Sequence, residues 1–310
     1  MADRPRVLVG ISMHPQVMAR LRDAADVDEN LAFFQDLPAI IARYDAMTVY
    51  SPRFDPALLD EARRLKVIAC HACPPEMLAA ATARGIRVTL VPSLWDTVAD
   101  MAVALMFAAA RNVAGADAAI RSGEWGRTDL KVRYSGRDVF GKTLGIVGLG
   151  RIGAILARRV RGFDMRLLYY DAVHKPDLEA DLGIAYRPLD DLLAESDIVS
   201  IQLPLTEATR GLIGERELRL MKRDAILVNT ARGAILDEGA LCRALRERRI
   251  AAAGLDVVVE EPLPPDSPLL TLDNVVLAPH LGGSTKECDG TLVEDALRVL
   301  AGQEPLHAAN

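Results

Sequence analysis

The sequence predicts an α/β protein with two doubly wound parallel-sheet domains. Short apolar runs alternate with amphipathic stretches along both halves of the chain, which is the pattern of strands joined by crossover helices. A glycine turn, Gly148-Leu149-Gly150-Arg151-Ile152-Gly153, follows the apolar run 144–147 and precedes a segment rich in Ala, Leu and Arg. With 310 residues, the chain is long enough for two domains that each bury a core.

The composition is that of a globular protein, with 50% hydrophobic and 26% charged residues. A formal net charge of −6 argues against a nucleic-acid partner, because binding phosphates requires clustered Lys and Arg. The most apolar segment, 101–110, is too short to span a bilayer, and the run 7–11 is too short for a signal peptide. We therefore expect no membrane partner and a cytoplasmic location, which the presence of only four cysteines also favours.

The first 98 residues contain four predicted strands and three predicted helices. The strands are expected at 6–11, 46–50, 67–69 and 87–90, and the helices at 18–25, 56–63 and 76–84. This alternation predicts a parallel sheet with helices on both faces.

A long apolar helix is predicted over residues 97–121, which contain no proline. Thr97 and Asp100 have the spacing of a capping box. A helix of this length and composition is buried or shared with a partner. The turn 122–126 ends it, and a polar, basic arm continues to Gly141, so the domain boundary falls within an ordered passage.

Each glycine of the turn has a separate physical task. Gly148 permits the tight turn, Gly150 lets a pyrophosphate approach the backbone, and Gly153 lets the helix pack close to the strand. A second strand, 166–170, places Asp171 at its tip, 18 residues beyond Gly153 (171 − 153), where an acid can accept hydrogen bonds from an adenosine ribose. The stretch predicts dinucleotide binding, and the alternative is a structural turn followed by a surface acid.

Asp171 also bears on the choice of cofactor. Its charge would repel a 2′-phosphate, and the following residues, Ala172-Val173-His174, include no arginine that could bind one. NAD is therefore favoured over NADP.

The alternation continues to the end of the chain. Further strands are expected at 198–203, 225–229, 252–257 and 275–277, and helices at 189–195, 214–221, 238–248 and 284–300. Together with the strands at 144–147 and 166–170, these make six strands from Leu144 onward, which is the number of strands in a dinucleotide-binding sheet.

Five motifs together resemble the D-2-hydroxyacid dehydrogenase family. They are the glycine turn with Asp171, Leu203-Pro204-Leu205-Thr206, Val228-Asn229-Thr230-Ala231-Arg232-Gly233, Gly254-Leu255-Asp256-Val257 with Glu261-Pro262, and Ala278-Pro279-His280-Leu281-Gly282-Gly283. The resemblance runs from about residue 91 to 284. It implies a Rossmann NAD-binding domain, 99–285, inserted into a flavodoxin-like substrate-binding domain, 1–98, which residues 286–310 complete.

The chemistry of such an enzyme can be assigned to three residues beyond different strands. Reducing a 2-keto acid requires a cation for the carboxylate and carbonyl, an acid for the new alkoxide and a hydride donor. The planar fork of Arg232 suits the first task. A carboxylate at Glu261, with Glu260 as an alternative, would favour the protonated form of His280. Taken singly, they could be a surface ion pair, a turn acid and a loop histidine.

The resemblance implies a role for each of a larger set of residues. Arg232, Glu261 and His280 are the catalytic candidates. The cofactor-binding candidates are Gly148, Gly150, Arg151, Ile152, Gly153, Asp171, Pro204, Thr230, Ala231, Arg232, Asp256, His280 and Gly282. The long helix from Thr97 and the arm through Trp125 resemble the family's dimerisation region, so a homodimer is expected.

One loop departs from the family. Where relatives usually carry a Gly-x-Gly loop whose amides hold the substrate carboxylate, this chain has Cys70-His71-Ala72-Cys73-Pro74-Pro75. Its two prolines have no N–H group. The substrate-binding candidates are therefore His71, Ala72 and Cys73 together with Arg232. Although the cysteines have a metal or redox spacing, no second CxxC completes a zinc set, and no metal is predicted.

Three functions remain open at this point. The first is an NAD-dependent oxidoreductase that transfers a hydride between NADH and a small 2-keto acid, such as glyoxylate, hydroxypyruvate or a sugar-derived keto acid. The second is a phosphite-oxidising relative, suggested by residues 121–125 and Cys70. The third is a non-catalytic, corepressor-like NADH sensor. A formate dehydrogenase would carry glutamine at the position of Glu261.

Overall fold

Strands and helices alternate along the chain in the computed structural model, which describes residues 4–30, 32 and 34–310. The strands are β1 (Arg6–Val9), β2 (Asp26–Glu29), β3 (Ala46–Val49), β4 (Val67–Cys70), β5 (Arg87–Leu90), β6 (Thr143–Val147), β7 (Arg166–Tyr170), β8 (Ile184–Tyr186), β9 (Ile198–Ile201), β10 (Ile226–Asn229), β11 (Ala252–Leu255) and β12 (Val275–Leu277). The α-helices are α1 (Pro15–Ala24), α2 (Leu37–Ile40), α3 (Pro75–Ala83), α4 (Leu94–Ala110), α5 (Val113–Arg121), α6 (Leu130–Arg133), α7 (Arg151–Arg159), α8 (Pro176–Leu182), α9 (Leu189–Glu195), α10 (Glu215–Leu220), α11 (Glu238–Arg246) and α12 (Lys286–Leu300).

The chain divides into two units, residues 1–94 with 283–310, and residues 95–282. The predicted boundaries at 98 and 286 differ from these by four and three residues (98 − 94 and 286 − 283). Residues 1–3, 31 and 33 of the predicted substrate-binding domain lie outside the described residues.

The sheet of the first unit is parallel, with strand order β2-β1-β3-β4-β5. Every residue of β3 and β4 is buried, as expected for central strands covered by helices on both faces. The order is that of a flavodoxin-like sheet. The chain returns to this unit at residue 283, and α12 belongs to it. Beyond α12, Ala309 donates a hydrogen bond to Val88 O at 2.8 Å, and Leu90 donates one to His307 O at 3.1 Å.

The sheet of the second unit is also parallel, with order β12-β11-β10-β9-β6-β7-β8. The strand order reverses between β6 and β9, which is where an open α/β sheet forms its ligand crevice. The prediction of two doubly wound parallel sheets is confirmed, although seven strands replace the expected six among the described residues.

Two edge strands were absent from the sequence-based expectation. β2 has the sequence Asp-Val-Asp-Glu and little buried surface, and Arg4 and Arg6 form ion pairs with its aspartates. β8 is three residues long. Hydrophobic periodicity fails for both because a short edge strand needs no continuous apolar face.

The single long helix predicted over 97–121 is wrong in both extent and continuity. The structure has α4 from Leu94, three residues before Thr97, and a separate α5, bent by 63° from it. Asn112, in the break, has φ +50°, a left-handed conformation that asparagine tolerates better than most residues. Likewise, the helix predicted at 56–63 is a 3-10 helix, Pro56–Asp60.

None of the described helices is by itself long and apolar enough to cross a membrane, although α4 and α5 reach that length and hydropathy as a bent pair.

Candidate active site

The glycine turn joins β6 to α7 in the second unit. Gly148 has φ +106°, which residues with a Cβ rarely adopt, and a Cβ there would lie 2.8 Å from the Gln202 backbone. A Cβ on Gly153 would lie 2.2 Å from Gly148 O, so the helix packs directly on the turn. By contrast, a Cβ on Gly150 would have no neighbour within 4 Å among the described residues. Space remains where a ligand could approach the backbone.

The start of α7 offers donors beside this space. Its first helical hydrogen bond runs from Ala154 N to Gly150 O at 2.9 Å, so the amides of Arg151, Ile152 and Gly153 precede the helical ladder. Such amides bind anions, and phosphate groups in particular. The Arg151 guanidinium lies 4.4 Å from the centre of the Trp95 ring, a cation–π contact that places a positive charge near the helix start. These residues fit a dinucleotide pyrophosphate.

Asp171 follows β7 and is held by three groups. Its carboxylate accepts hydrogen bonds from Leu149 N at 2.9 Å, Lys175 Nζ at 2.8 Å and Val173 N at 3.3 Å. Burial acts to raise the pKa of Asp171, but the hydrogen bond from Lys175 and those from the amides outweigh it, and the pKa is lowered. The carboxylate therefore carries its negative charge at neutral pH.

Lys175 is a residue that the sequence reasoning missed. Its ammonium also donates to Leu149 O at 2.8 Å, so it ties Asp171 to the glycine turn. The expectation that no arginine binds a 2′-phosphate rested on residues 172–174, and Lys175 is the next residue along the chain. The spacing from Asp171 to Lys175, four residues, was the signal available in the sequence.

Arg232 stands in a turn after β10 that Asn229 braces. The fully buried Asn229 side chain accepts from Ala231 N at 3.0 Å and donates to Arg232 O at 3.0 Å. Thr230 Oγ1 accepts a hydrogen bond from Gln202 Nε2 at 2.9 Å. Asn229 and Gln202 were not among the predicted site residues. Each is a polar residue at the end of an apolar strand, and this position was the sequence feature that could have identified them.

The turn with Arg232 packs against the segment that carries Glu261. A Cβ on Gly233 would lie 2.0 Å from both the carbonyl carbon and oxygen of Val258, so only glycine allows the two backbones to approach this closely. Val258 N in turn donates to Glu261 Oε1 at 3.2 Å. A chain of direct contacts thus connects the position after Arg232 to the Glu261 carboxylate.

His280 is held in an unusual backbone conformation, with φ +55°. Asp256 stabilises it: its buried carboxylate accepts from Leu281 N at 2.7 Å and Gly282 N at 2.8 Å, and its carbonyl accepts from His280 N at 2.9 Å. Burial raises the pKa of Asp256, against the opposing effect of the two amides. The strain of a left-handed histidine is thus offset by three hydrogen bonds to one residue.

His280 and Glu261 form a direct pair. Their Nδ1 and Oε2 atoms are 2.7 Å apart, and both side chains are about one-third exposed, at 34% and 38%. Because Nδ1 is engaged by the carboxylate, a proton exchanged with a ligand must be carried at Nε2. A cavity of about 580 Å³ adjoins the pair, and apolar side chains such as Leu263, Leu270 and Leu277 line most of it.

Replacing Glu261 by Gln should move the high-pH limb of kcat/KM for 2-keto-acid reduction to lower pH. Gln is nearly isosteric but removes the negative charge 2.7 Å from the imidazole, so it would stabilise less well the imidazolium that is expected to act as the acid. The measurement is a pH–rate profile of both proteins, with Glu260→Gln as the matched control. A Glu261→Gln profile that superimposes on the wild type, or a shift seen instead in Glu260→Gln, would assign the tuning elsewhere.

Pro204 and Gly282 are the remaining cofactor-binding candidates, and both lie in the second unit. Pro204 O accepts a hydrogen bond from Thr209 Oγ1 at 2.7 Å, which closes the loop after β9. A Cβ on Gly282 would lie 2.8 Å from Asp256 Oδ2, so this position too is restricted by the hydrogen bonds around His280.

The loop 70–75 belongs to the first unit, and its amides are largely engaged. The N–H groups of His71 and Ala72 both donate to Tyr50 O, at 3.0 and 3.1 Å. The loop was expected to offer the substrate the amides of His71, Ala72 and Cys73, and two of these three are engaged elsewhere. Because Pro74 and Pro75 have no N–H group, Cys73 N is the donor that remains between residues 71 and 75. The loop sequence does not reveal these hydrogen bonds, because the acceptor, Tyr50 O, lies in the segment that follows β3.

The His71 side chain is buried, with 6% of its surface exposed, and its ring stacks on Tyr50 with centroids 5.2 Å apart. Within the part of the chain that the structure describes, neither ring nitrogen has a partner of good hydrogen-bond geometry. Burial lowers the pKa of His71 to about 4, against a weaker opposing effect of the nearby Gly283 backbone. His71 is therefore a neutral imidazole.

The second unit resembles a known family of domains. Residues 103–282 match the family model of the D-isomer specific 2-hydroxyacid dehydrogenase NAD binding domain. A glyoxylate reductase from Korarchaeum cryptofilum is 50% identical over 243 residues, which cover 77% of this chain and 73% of that protein.

Two solved structures resemble the whole chain. The TT0316 protein from Thermus thermophilus has a TM-score of 0.79 and 38% identity, and the match covers 98% of this chain and 100% of that chain. An NADPH-dependent glyoxylate/hydroxypyruvate reductase from Sinorhizobium meliloti, in complex with NADP and malonate, has a TM-score of 0.71 and 28% identity, with 99% and 97% covered.

Proposed function

The chain belongs to the D-isomer-specific 2-hydroxyacid dehydrogenase family, and we propose that within this family it reduces glyoxylate or hydroxypyruvate with NADH. It is an oxidoreductase that acts on the CH–OH group of small 2-hydroxy acids with a nicotinamide cofactor. The proposed substrates follow from the relatives, which are named glyoxylate reductase and glyoxylate/hydroxypyruvate reductase.

The His280–Glu261 hydrogen bond is the observation that carries the proposal. In reduction, we assign His280 Nε2 as the acid that protonates the new alkoxide, and in oxidation as the base that removes the same proton. Glu261 stabilises the imidazolium and fixes the orientation of the ring. Arg232 binds the carboxylate and polarises the carbonyl, because its planar fork can donate two parallel hydrogen bonds.

The bound cofactor supplies the hydride. We propose that Gly148, Gly150, Arg151, Ile152 and Gly153 bind its pyrophosphate and that Asp171 binds its adenosine ribose. The remaining cofactor-binding residues serve the nicotinamide end, and they are Pro204, Thr230, Ala231, Arg232, Asp256, His280 and Gly282. In the first unit, residues 1–94 with 283–310, we propose Cys73 N as a donor to the substrate. His71 and Ala72 act there as the rigid support of the loop rather than as amide donors.

We propose a preference for NADH over NADPH of at least about tenfold in kcat/KM, roughly 1.4 kcal/mol. The ionised Asp171 carboxylate repels a 2′-phosphate, and its ion pair with Lys175, at 2.8 Å, occupies the nearby cation. Replacing Asp171 by Ala should narrow the preference, because it removes the repulsion and releases Lys175 to bind the phosphate.

The double variant Asp171→Ala with Lys175→Ala is the matched control. It should lose the NADPH activity that the single variant gains, since the released cation is no longer present. Steady-state kinetics with both cofactors measures the effect, and equal kcat/KM values for NADH and NADPH in the wild type would refute the argument.

We also propose a homodimer and a cytoplasmic location. The segment 113–140 carries several of the most exposed apolar side chains, with Trp125 77%, Val132 82% and Phe140 68% exposed. Exposed aromatic and aliphatic side chains concentrated in one segment are typical of a surface that a partner covers. Light scattering of the wild type and of Trp125→Ser would detect the dimer and its loss.

A panel of substrates tests the proposed function. Glyoxylate, hydroxypyruvate, pyruvate and phosphite are each offered with the appropriate oxidation state of the cofactor, and absorbance at the NADH band is followed. We expect the highest kcat/KM with glyoxylate or hydroxypyruvate. Turnover of phosphite in preference to every 2-keto acid would instead favour the phosphite-oxidising alternative, and NADH binding without any turnover would favour a sensor.

A further inference from the structure

Trp95 and Arg151 form a side-chain contact beside the glycine turn of the second unit. Trp95 is the second residue of α4, and Arg151 is the first residue of α7. The carbon atom of the Arg151 guanidinium lies 4.4 Å from the centre of the Trp95 ring. Cation–π contacts form within about 6 Å of a ring centre, and tryptophan is the best of the aromatic partners. The pair is therefore well inside the range of this interaction.

The contact leaves the hydrogen-bond donors of Arg151 available. Within residues 4–30, 32 and 34–310, the exposed Arg151 side chain has no hydrogen-bond or ion-pair partner. Asp96 and Asp100, the acids that follow Trp95 in α4, each accept a hydrogen bond from Arg159 at 2.8 Å. A cation–π contact requires no oxygen acceptor, so the N–H donors of the Arg151 guanidinium remain for a ligand.

Arg151 stands where an α-helix disfavours a cation. The N-terminus of a helix carries a partial positive charge, which stabilises anions and destabilises cations nearby. The first turn of α7 contains no acidic residue that could offset the charge of Arg151. An anion bound by the guanidinium and the first amides of α7 would offset both positive charges. The position of Arg151 is thus explained by a ligand rather than by the stability of the helix.

We propose that Trp95 is a positioning residue for the cofactor, because it holds the Arg151 guanidinium near the start of α7. The proposal rests on the proposed function, in which Arg151 binds the pyrophosphate. An exposed arginine loses side-chain freedom when it binds a ligand, and a ring that already restricts the guanidinium lowers this cost. The helix that carries Trp95 is itself tied to α7 by the two hydrogen bonds from Arg159.

Isothermal titration calorimetry of the full-length protein with ADP-ribose tests the proposal, since this probe carries the pyrophosphate and requires no turnover. Arg151→Gln should weaken binding about tenfold or more, through the loss of charge-assisted hydrogen bonds. Trp95→Leu should weaken it about two- to fivefold, and Trp95→Phe, which keeps a ring, by less. In the double variant Trp95→Leu with Arg151→Gln, the loss should equal that of Arg151→Gln alone, because Trp95 acts through the guanidinium.

Adenosine is the control ligand, because it has no phosphate. Measured as a competitor of ADP-ribose, it should bind to Trp95→Leu as it binds to the wild type. Thermal unfolding of each variant without ligand shows whether the fold is retained. Should leucine at position 95 unfold the protein, Trp95→Phe takes its place in the same cycle, with a smaller loss that must again vanish in the Arg151→Gln background.

The proposal is overturned if Trp95→Leu binds ADP-ribose as tightly as the wild type, or if the losses of the two single variants multiply in the double variant. Equal losses of adenosine and ADP-ribose binding in Trp95→Leu would also overturn it, because Trp95 would then act through packing alone. If Arg151→Gln binds ADP-ribose as the wild type does, the assignment of Arg151 in the proposed function fails as well. A failure confined to the Trp95 variants leaves that assignment intact.

Discussion

Replacing His280 should lower kcat for 2-keto-acid reduction by about a hundredfold or more, because the variant has no acid to protonate the alkoxide. NADH affinity should remain nearly intact, since His280 is only one of the many residues proposed to contact the cofactor and the amides at the start of α7 do not depend on it. Stopped-flow or steady-state absorbance gives kcat, and quenching of protein fluorescence gives the dissociation constant of NADH.

The choice of substituent matters because His280 has φ +55°. Alanine is strained in this left-handed conformation, whereas asparagine adopts it more readily, so His280→Asn removes the imidazole with less disturbance of the turn. Both variants should lose turnover to a similar extent. If His280→Asn retained most of the wild-type kcat, the imidazole would not be the acid, and the loss in His280→Ala would reflect the backbone.

Replacing Arg232 by Ala should lower kcat/KM for the 2-keto acid by about a hundredfold or more. A charge-assisted hydrogen bond contributes about 1.5–3 kcal/mol, the proposed bidentate contact has two of them, and each 1.4 kcal/mol corresponds to a factor of ten. Most of the loss should appear in KM if the guanidinium mainly holds the carboxylate, and in kcat if it mainly polarises the carbonyl.

Arg232→Lys is the control for charge alone. Lysine keeps the positive charge but lacks the planar fork, so it should recover only part of the activity. Full recovery by lysine would show that the site needs a charge and not a bidentate contact. Thermal unfolding should be followed in both variants, because the Arg232 backbone is part of the turn that Asn229 braces.

The sequence contains enough information to predict the glycine turn of the second unit, residues 95–282, and the pairing of two of its candidate catalytic residues. The glycine turn is recognisable because each of its glycines meets a different steric requirement, and the structure shows these as a positive φ at Gly148, a close contact at Gly153 and open space at Gly150. The pairing of Glu261 with His280 was also expected, since both follow strands whose carboxyl ends lie on one edge of the sheet.

Other features could not be read from local patterns. The break at Asn112 interrupts a run of good helix formers, and only the tolerance of asparagine for a left-handed conformation hints at it. The amides of His71 and Ala72 are engaged by Tyr50 O, more than twenty residues away in sequence, so no pattern within the loop reveals that they are occupied. The four-residue spacing of Asp171 and Lys175 is visible in the sequence. Whether the two side chains form an ion pair depends on the directions in which they point, and the sequence does not show these directions.

In the proposed reaction, a hydride passes from the cofactor to C2 of a 2-keto acid, and His280 donates the proton. The direct test uses NADH deuterated at both C4 positions, with glyoxylate as acceptor, in ordinary water. We predict glycolate that carries one deuterium at C2 and forms at the rate at which the cofactor is oxidised, and almost no product in His280→Asn. Glycolate without deuterium, or oxidation of the cofactor without glycolate, would contradict the assignment.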